Sequence, residues 1–207
     1  MMRWNIDMPR FVELVNANLK GQVNTIFEVG ALDGKDSVFF STSYPMAKVY
    51  AIEGLPDNFE KHLKSLKGIT TINRVICDYD GEIDFFKKEI NGLHSIYNRG
   101  SIYGMGTIKV PCNRLDTLCK EYGVTSIDII KIDVEGATYE VLNGLGNLWE
   151  TIKIMHIETE GFPFFEGQKL HTCVSELLKS RGFGLLELAA AEILPDCFQH
   201  DSVWMKV

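Results

Sequence analysis

The sequence lacks the cysteine pattern of a disulfide-stabilised protein or of a structural zinc site. Its five cysteines are an odd number, and no two of them form a C-x-x-C pair. Disulfide frameworks use even numbers of cysteines and zinc sites use closely spaced pairs, so these residues indicate reduced thiols in a cytoplasmic protein. A chain of 207 residues is long enough to bury a core without such cross-links.

Basic clusters and long apolar runs are missing as well. The chain carries 21 basic and 28 acidic residues, and Lys87-Lys88 is its most concentrated basic stretch. Binding to nucleic acid or to an anionic membrane depends on basic patches, so neither is an expected partner. No run approaches the ~18 apolar residues that span a bilayer, and the first residues have no apolar core of signal-peptide length. We therefore expect a cytoplasmic protein.

Apolar segments of strand length alternate with helical patterns along most of the chain. Strands are predicted at residues 25–29, 48–53, 69–76, 82–88, 107–112, 127–132, 152–159, 183–188 and 202–207. Helices are predicted within residues 1–22, after Gly34, and at 56–66, 115–122, 139–145 and 169–180. Consecutive β-α-β units imply a parallel sheet with right-handed crossovers. No repeat or linker divides the chain, so residues 1–207 are expected to form a single α/β domain.

The segment from Thr25 to Gly34 has the features of a ligand cradle. A buried strand ends in Glu28-Val29-Gly30, and the second glycine, Gly34, directly precedes a helix. The first glycine lets the backbone approach a ligand closely, and the free N–H groups of the helix attract negative charge. A glycine after an apolar strand can also be a simple turn, and the dinucleotide fingerprint has a tighter glycine pattern.

Four acidic residues are expected at the sheet edge where the strands end: Glu28, Glu53, Asp78 and Asp133. In an open parallel sheet this edge binds the ligand. Glu53 lies 23 residues after Gly30, where a carboxylate can accept hydrogen bonds from ribose hydroxyls. Leu32 stands where a middle glycine would admit a pyrophosphate, and the surroundings are acidic. A cationic adenosine ligand, S-adenosylmethionine, therefore fits better than a nicotinamide dinucleotide.

The longest motifs resemble those of the FkbM family of S-adenosylmethionine-dependent methyltransferases. The matching stretches are E-V-G-A-x-D-G at 28–34, Glu53, L-D-T-L at 115–118, I-K-I-D-V-E-G-A at 130–137 and Y-E-V-L at 139–142. The resemblance implies a Rossmann-like class I methyltransferase fold, with a mostly parallel seven-stranded sheet, helices on both faces and an antiparallel last strand. It also implies methyl transfer, usually to a hydroxyl oxygen of a sugar or natural product.

The resemblance also implies the cofactor-binding residues. These are Glu28, Gly30, Ala31, Asp33 and Gly34 at the methionine end, Glu53 and Gly54 at the ribose, Cys77 and Asp78 at the adenine, Ser95 in a closing segment, and Asp133 near the sulfonium. The family often has Asn where this chain has Leu32, which removes a side-chain hydrogen bond to the amino-acid part of the cofactor.

Asp133, Glu135, His156 and Glu158 are the candidate catalytic residues. His156 and Glu158 share one face of a strand, ~6.6 Å apart, and an imidazole with a pKa near ~6.5 suits a base that takes a hydroxyl proton. The carboxylates could orient this imidazole or bind a divalent cation. We predict a base that acts without a metal. Two structural interpretations stay open: His156 as a structural histidine paired with a buried acid, and Asp133 as a helix N-cap.

The loops and the alternatives complete the hypothesis. Residues 91–106 are predicted to form a mobile glycine-rich lid, and loop 160–168, with Phe162, Phe164 and Phe165, is a candidate acceptor wall. A nicotinamide-dependent oxidoreductase of the same fold would bind NAD instead. A non-catalytic binding module would follow if Leu32 has impaired the cofactor site.

Overall fold

The computed structural model describes residues 5–98 and 104–207. The strands are β1 (Thr25–Val29), β2 (Lys48–Glu53), β3 (Thr70–Asn73), β4 (Val75–Ile76), β5 (Gly81–Lys88), β6 (Gly104–Asn113), β7 (Ile129–Ile132), β8 (Ile154–Glu160), β9 (Phe183–Leu194) and β10 (Cys197–Lys206). The helices are α1 (Met8–Asn18), α2 (Lys35–Ser43), α3 (Pro56–Asn58), α4 (Leu115–Glu121), α5 (Thr138–Asn143) and α6 (His171–Ser180). A π-helical turn, Phe59–Leu63, continues α3, and a 3₁₀ turn, Gly146–Glu150, follows α5.

The main sheet has seven strands in the order β3-β2-β1-β7-β8-β10-β9. Pairing is parallel from β3 through β8. Only β10 runs against its neighbours, since it is antiparallel to both β8 and β9. The predicted fold, including the antiparallel last strand, is confirmed. The carboxyl ends of β1, β2 and β7 therefore meet at one edge.

Side chains of β1 alternate between two hydrophobic cores. Phe27 and Val29 pack into the core that α4, α5 and α6 cover, whereas Ile26 packs against Phe11 of α1 and Phe40 of α2 on the other face. Burying each large apolar side chain contributes about 1.5–3 kcal/mol. Both faces are thus covered by helices, which is why the strand is apolar nearly throughout.

The predicted third strand is wrong at its C-terminal half. Thr70–Asn73 joins the main sheet, but Val75–Ile76 leaves it and pairs with β6 in a second sheet of order β4-β6-β5. The break falls at Arg74, so the residues after it belong to the small sheet.

Other boundaries also differ from the predictions. β6 begins at Gly104, so the predicted loop 91–106 is shorter at its C-terminal end, and residues 99–103 of that loop lie outside the described residues. β9 extends to Leu194 and forms a long hairpin with β10. Across 5–98 and 104–207, none of the helices is long and apolar enough to span a bilayer.

Candidate active site

A cavity of about 390 Å³ lies at the carboxyl ends of β1, β2 and β7. We call it the main cavity. Its wall includes Gly30, Glu53, Asp133 and Glu158, together with parts of segments 92–96 and 164–165. The volume falls in the range of about 300–1,000 Å³ that is usual for small-molecule sites. The sheet edge predicted to bind a ligand is therefore concave.

Gly30 is required by the approach of two strand ends. Its φ is +87°, and a Cβ built on it would lie 1.7 Å from the backbone oxygen of Asp133. The N–H groups of Gly30 and Ala31 both donate to the carbonyl oxygen of Ile52, at 2.9 Å. Only glycine fits this conformation in this space. The turn after β1 is thus held directly against β7 and β2.

Glu53 connects the loops after β1 and β2. It is 6% exposed. Its Oε2 accepts from the Leu32 N–H and its Oε1 from the Leu55 N–H, each at 2.8 Å. Burial raises the pKa of Glu53, although both backbone N–H groups favour its ionised form. A carboxylate can accept about four hydrogen bonds, so acceptor capacity remains for a diol in the main cavity.

Leu32 has a strained backbone conformation at the cavity wall. Its φ is +47°, in the left-handed region that a leucine rarely adopts. Such a conformation costs about 1–3 kcal/mol and persists only where neighbouring contacts enforce it. The hydrogen bond from its N–H to Glu53 is one of those contacts.

Three carboxylates meet beside Gly30. One oxygen each from Asp133, Glu135 and Glu158 lie within 4.8 Å of one another. Burial and the charge of Asp133 raise the pKa of Glu158 well above its usual value. Burial acts on Asp133 in the same sense, but the neighbouring Lys131 outweighs it and lowers the pKa of Asp133. Burial thus favours the neutral form of Glu158, whereas Lys131 favours the ionised form of Asp133.

Lys131 is the cation that sets this charge state. It is 8% exposed, and its Nζ lies 3.0 Å from Asp133 Oδ2 and 3.3 Å from Asp36 Oδ2. On the neighbouring strand β1, Glu28 is opposite Lys131. A buried ammonium group requires such partners because its desolvation is costly.

Glu28 is not among the residues that line the main cavity. It is 2% exposed and accepts a short hydrogen bond from Ser37 of α2. Burial raises the pKa of Glu28 to about 8, against the opposing effect of Lys131. Its side chain points from the sheet toward α1 and α2, since Ile26 of the same strand packs there. Its contact with the methionine end of the cofactor stays a prediction.

Several other predicted cofactor residues also lie off the cavity wall. Ala31 packs against Ala51, Asp33 pairs with Lys35 at 2.6 Å, and Gly34 begins α2 with a φ of +74°. These residues shape the turn rather than line the cavity. Gly54, by contrast, lies on the wall as predicted.

Cys77 and Asp78 are displaced from the cavity by the break in the third strand. Cys77 is fully buried in the core of the small sheet with Phe85 and Val110, and Asp78 is exposed. Arg74 and both residues of β4 line the main cavity instead, as do Phe85 and Ile96. Contact of Cys77 and Asp78 with the adenine stays a prediction.

Ser95 fixes the segment that borders the main cavity without lining it. Its Oγ donates to the carbonyl oxygen of Glu135 at 2.6 Å, and its own carbonyl oxygen accepts from the N–H of Phe86 at 2.8 Å. These bonds place Leu93, His94 and Ile96 on the wall. The predicted closing segment thus borders the cavity, and its mobility stays a prediction.

His156 lines a different cavity. It is 4% exposed, its Nε2 lies 2.5 Å from Asp201 Oδ1, and its ring packs 4.9 Å from that of Phe11. The second cavity, of about 370 Å³, shares Asp133 and Glu158 with the main cavity. His156 is therefore separated from the main cavity by these carboxylates.

Sequence reasoning missed the role of Lys131 and of its partner Asp36. A lysine inside the apolar strand I-I-K-I is itself a signal, because a buried ammonium needs counter-charges. The sequence also left open whether Phe164 and Phe165 belong to the hydrophobic core or to the wall of the binding site. In the structure both line the main cavity.

Comparison with protein families gives a match over most of the chain. A model described as the methyltransferase FkbM domain matches residues 28–185. Among curated proteins, the 2-O-methyltransferase NoeI of Sinorhizobium fredii is 27% identical over 172 residues, covering 75% of this chain and 71% of that protein. Methyltransferase sdnD of Sordaria araneosa is 26% identical over 208 residues, with coverages of 84% and 78%. The hexuronic acid methyltransferase AglP of Haloferax volcanii is 27% identical over 141 residues, with coverages of 65% and 55%.

Solved structures show the same fold. Magnesium protoporphyrin IX methyltransferase (ChlM) from Synechocystis PCC 6803 with bound SAH has a TM-score of 0.52 at 12% identity, covering 97% of this chain and 82% of that one. M. capricolum TrmK in complex with S-adenosyl-homocysteine has a TM-score of 0.51 at 14% identity, covering 95% and 67%. At such low identities these similarities concern the fold alone.

Proposed function

The chain belongs to the FkbM methyltransferase family, and we propose that it methylates a hydroxyl oxygen of a small, sugar-like acceptor. Membership confirms the predicted family, and S-adenosylmethionine is the cofactor. It also favours methyl transfer over the alternative of a nicotinamide-dependent oxidoreductase. The observation that carries the proposal is that Glu53 and the pair Asp133–Glu158 line one cavity.

The main cavity fits the cofactor at three positions. Glu53, with acceptor capacity left after its two backbone hydrogen bonds, would bind the ribose hydroxyls. Val75, Phe85 and Ile96 offer an apolar slot for the adenine. The cofactor supplies an electrophilic methyl group on a positively charged sulfur, and the negative charge of Asp133 suits that end. Gly30 lets the backbone of Asp133 lie directly against the turn after β1, which places Asp133 at this end.

Glu158 is our candidate for the base that removes the acceptor's proton. Its Oε1 is buried and has no hydrogen-bond partner among the described residues. Burial and the charge of Asp133 disfavour the ionised form of Glu158, and a positive charge in the main cavity would favour it. A carboxylate whose pKa is raised toward neutrality is a stronger base than an ordinary one. The position of His156 in the second cavity does not favour its predicted role as this base.

The proposed acceptor class is supported by the names of two relatives and by aromatic residues that line the main cavity. NoeI is named a 2-O-methyltransferase, which supports an oxygen as the methylated atom, and AglP is named a hexuronic acid methyltransferase, which supports a sugar as the acceptor. Phe164 and Phe165 give the cavity an apolar face on which a ring can pack.

Calorimetry and a transfer assay test the proposal. We expect S-adenosylhomocysteine to bind, and a panel of glycosides to include one that gains a methyl group from radiolabelled S-adenosylmethionine. Glu158→Gln should abolish transfer and retain cofactor binding, while Glu82→Gln, an exposed change on β5, should affect neither. Absence of binding at millimolar ligand would contradict the cofactor site. Cofactor binding without transfer to any glycoside would favour the non-catalytic module.

A further inference from the structure

The second cavity is built between the segment before α1 and the sheet face. Residues 5–8 form one side, and Lys131, His156 and Asp201 form the other. The backbone N–H of Ile6 donates to Asp201 Oδ2 at 2.7 Å, which ties the segment to β10. Because Asp133 and Glu158 line both cavities, a molecule in the second cavity can reach the acidic group of the main cavity.

The charged groups of the second cavity leave no binding site for an anion among the described residues. Its acidic members include Asp36, Asp133, Glu158 and Asp201. Lys131 is the cation among its described lining side chains, and two carboxylates already contact its ammonium group. A carboxylate entering here would meet negative charge and find its counter-ion engaged. Hydroxyl groups, however, would meet several acceptors.

His156 provides an independent indication of a ligand. It is 4% exposed and lines the second cavity. Its Nε2 contacts the carboxylate of Asp201, which only accepts hydrogen bonds, so Nε2 carries a proton. Nδ1 is buried and has no hydrogen-bond partner among the described residues. An unsatisfied buried ring nitrogen is costly, and a ligand hydroxyl, which can both donate and accept a hydrogen bond, would satisfy it.

We propose that the second cavity is a subsite for an uncharged, hydroxyl-rich sugar ring and that it rejects sugars carrying a carboxylate. This assignment rests on the proposed function, since the ring held here would be part of the acceptor. His156 Nδ1 and the carboxylates form hydrogen bonds with its hydroxyl groups, and Ile6 and Met8 cover its apolar face. AglP is named for a hexuronic acid, a sugar that carries a carboxylate, so the preference proposed here for a neutral sugar is the opposite.

Histidine side-chain NMR gives a test that does not require turnover. Protein saturated with S-adenosylhomocysteine is titrated at pH 7 with matched pairs, the methyl glucoside against the methyl glucuronide and the methyl galactoside against the methyl galacturonide. We expect a neutral member to shift the His156 resonances saturably and its uronide partner to bind at least ten-fold more weakly. Equal binding of the two partners, or no shift of His156 with any neutral glycoside, would overturn the proposal.

Asp36→Asn tests the electrostatic cause. This change removes one negative charge from the wall and should reduce the discrimination against the uronide several-fold. Asp84→Asn is the matched control, since Asp84 pairs with Lys109 on the small sheet and lines neither cavity. Unchanged discrimination in Asp36→Asn would contradict the inferred role of charge. Cofactor affinity of the wild-type protein is measured in parallel. If the wild type does not bind the cofactor, the proposed function is contradicted instead.

Discussion

The buried Glu28 should make the folding stability fall with pH, and Glu28→Gln should remove that dependence. Its carboxyl group is 2% exposed and bonded to Ser37. Burial raises its pKa from 4.5 to about 8. Between these two values the folded state holds a proton that the unfolded state has lost. Stability is therefore fully present below the unfolded pKa and decreases as pH rises through this window.

The expected change in folding stability can be calculated from the pH interval between the unfolded and the folded pKa of Glu28. One pKa unit corresponds to about 1.4 kcal/mol, so the stability lost per pH unit inside the window approaches that amount. Between pH 5.5 and 7.5, both within the window, wild type should lose about 2.5 kcal/mol relative to Glu28→Gln. The glutamine is isosteric and keeps an acceptor for the Ser37 hydroxyl, so other titrating groups cancel in the comparison.

Urea unfolding of both proteins at the two pH values measures this difference. Glu13→Gln, an exposed change on α1, is the control and should follow wild type at both pH values. A wild type and Glu28→Gln that respond identically to pH would refute the reasoning. It would mean that Lys131 keeps Glu28 ionised throughout the window.

Three further changes probe the site itself. Glu53→Ala should weaken S-adenosylhomocysteine binding by about 1.5–3 kcal/mol, the range for hydrogen bonds to a charged group, and unchanged calorimetric affinity would place the ribose elsewhere. Asp133→Asn should lower turnover and retain affinity for S-adenosylhomocysteine, which lacks the sulfonium charge. EDTA should leave the wild-type rate unchanged, whereas a rate lost to EDTA and restored by Mg²⁺ would make the three carboxylates a metal site. Leu32→Asn should stabilise the fold by about 1 kcal/mol in urea unfolding, because asparagine tolerates a positive φ, and a destabilised variant would contradict strain at this residue.

The sheet and the cradle could be predicted because local signals determine them. The strand that ends at Gly30 is apolar on both faces, and the glycine marks a turn that no other residue can form. The break at Arg74 could not be predicted. Residues 69–76 have the pattern of one strand, and only the pairing of Val75–Ile76 with the distant β6 divides them. Cys77 was misplaced for the same reason.

The candidate site was predictable at single positions but not as a network. Glu53 and Asp133 follow directly from strand ends. The partners of Lys131 come from a different strand, a helix and a turn, and their convergence depends on tertiary packing. The second cavity depends on the contact between Asp201 and Ile6, which lie 195 residues apart in the chain.

The insertion of β10 between β8 and β9 imposes an order on assembly. Strands β1, β2 and β7, which carry Gly30, Glu53 and Asp133, are synthesised well before β10 and need no contact with it to pair with one another. β9 can join the sheet only through β10. A growing chain can therefore form the strand ends proposed to hold the ribose and the sulfonium before Asp201 meets His156 and Ile6. The proposed cofactor site can thus form and bind its ligand before the proposed acceptor site is complete.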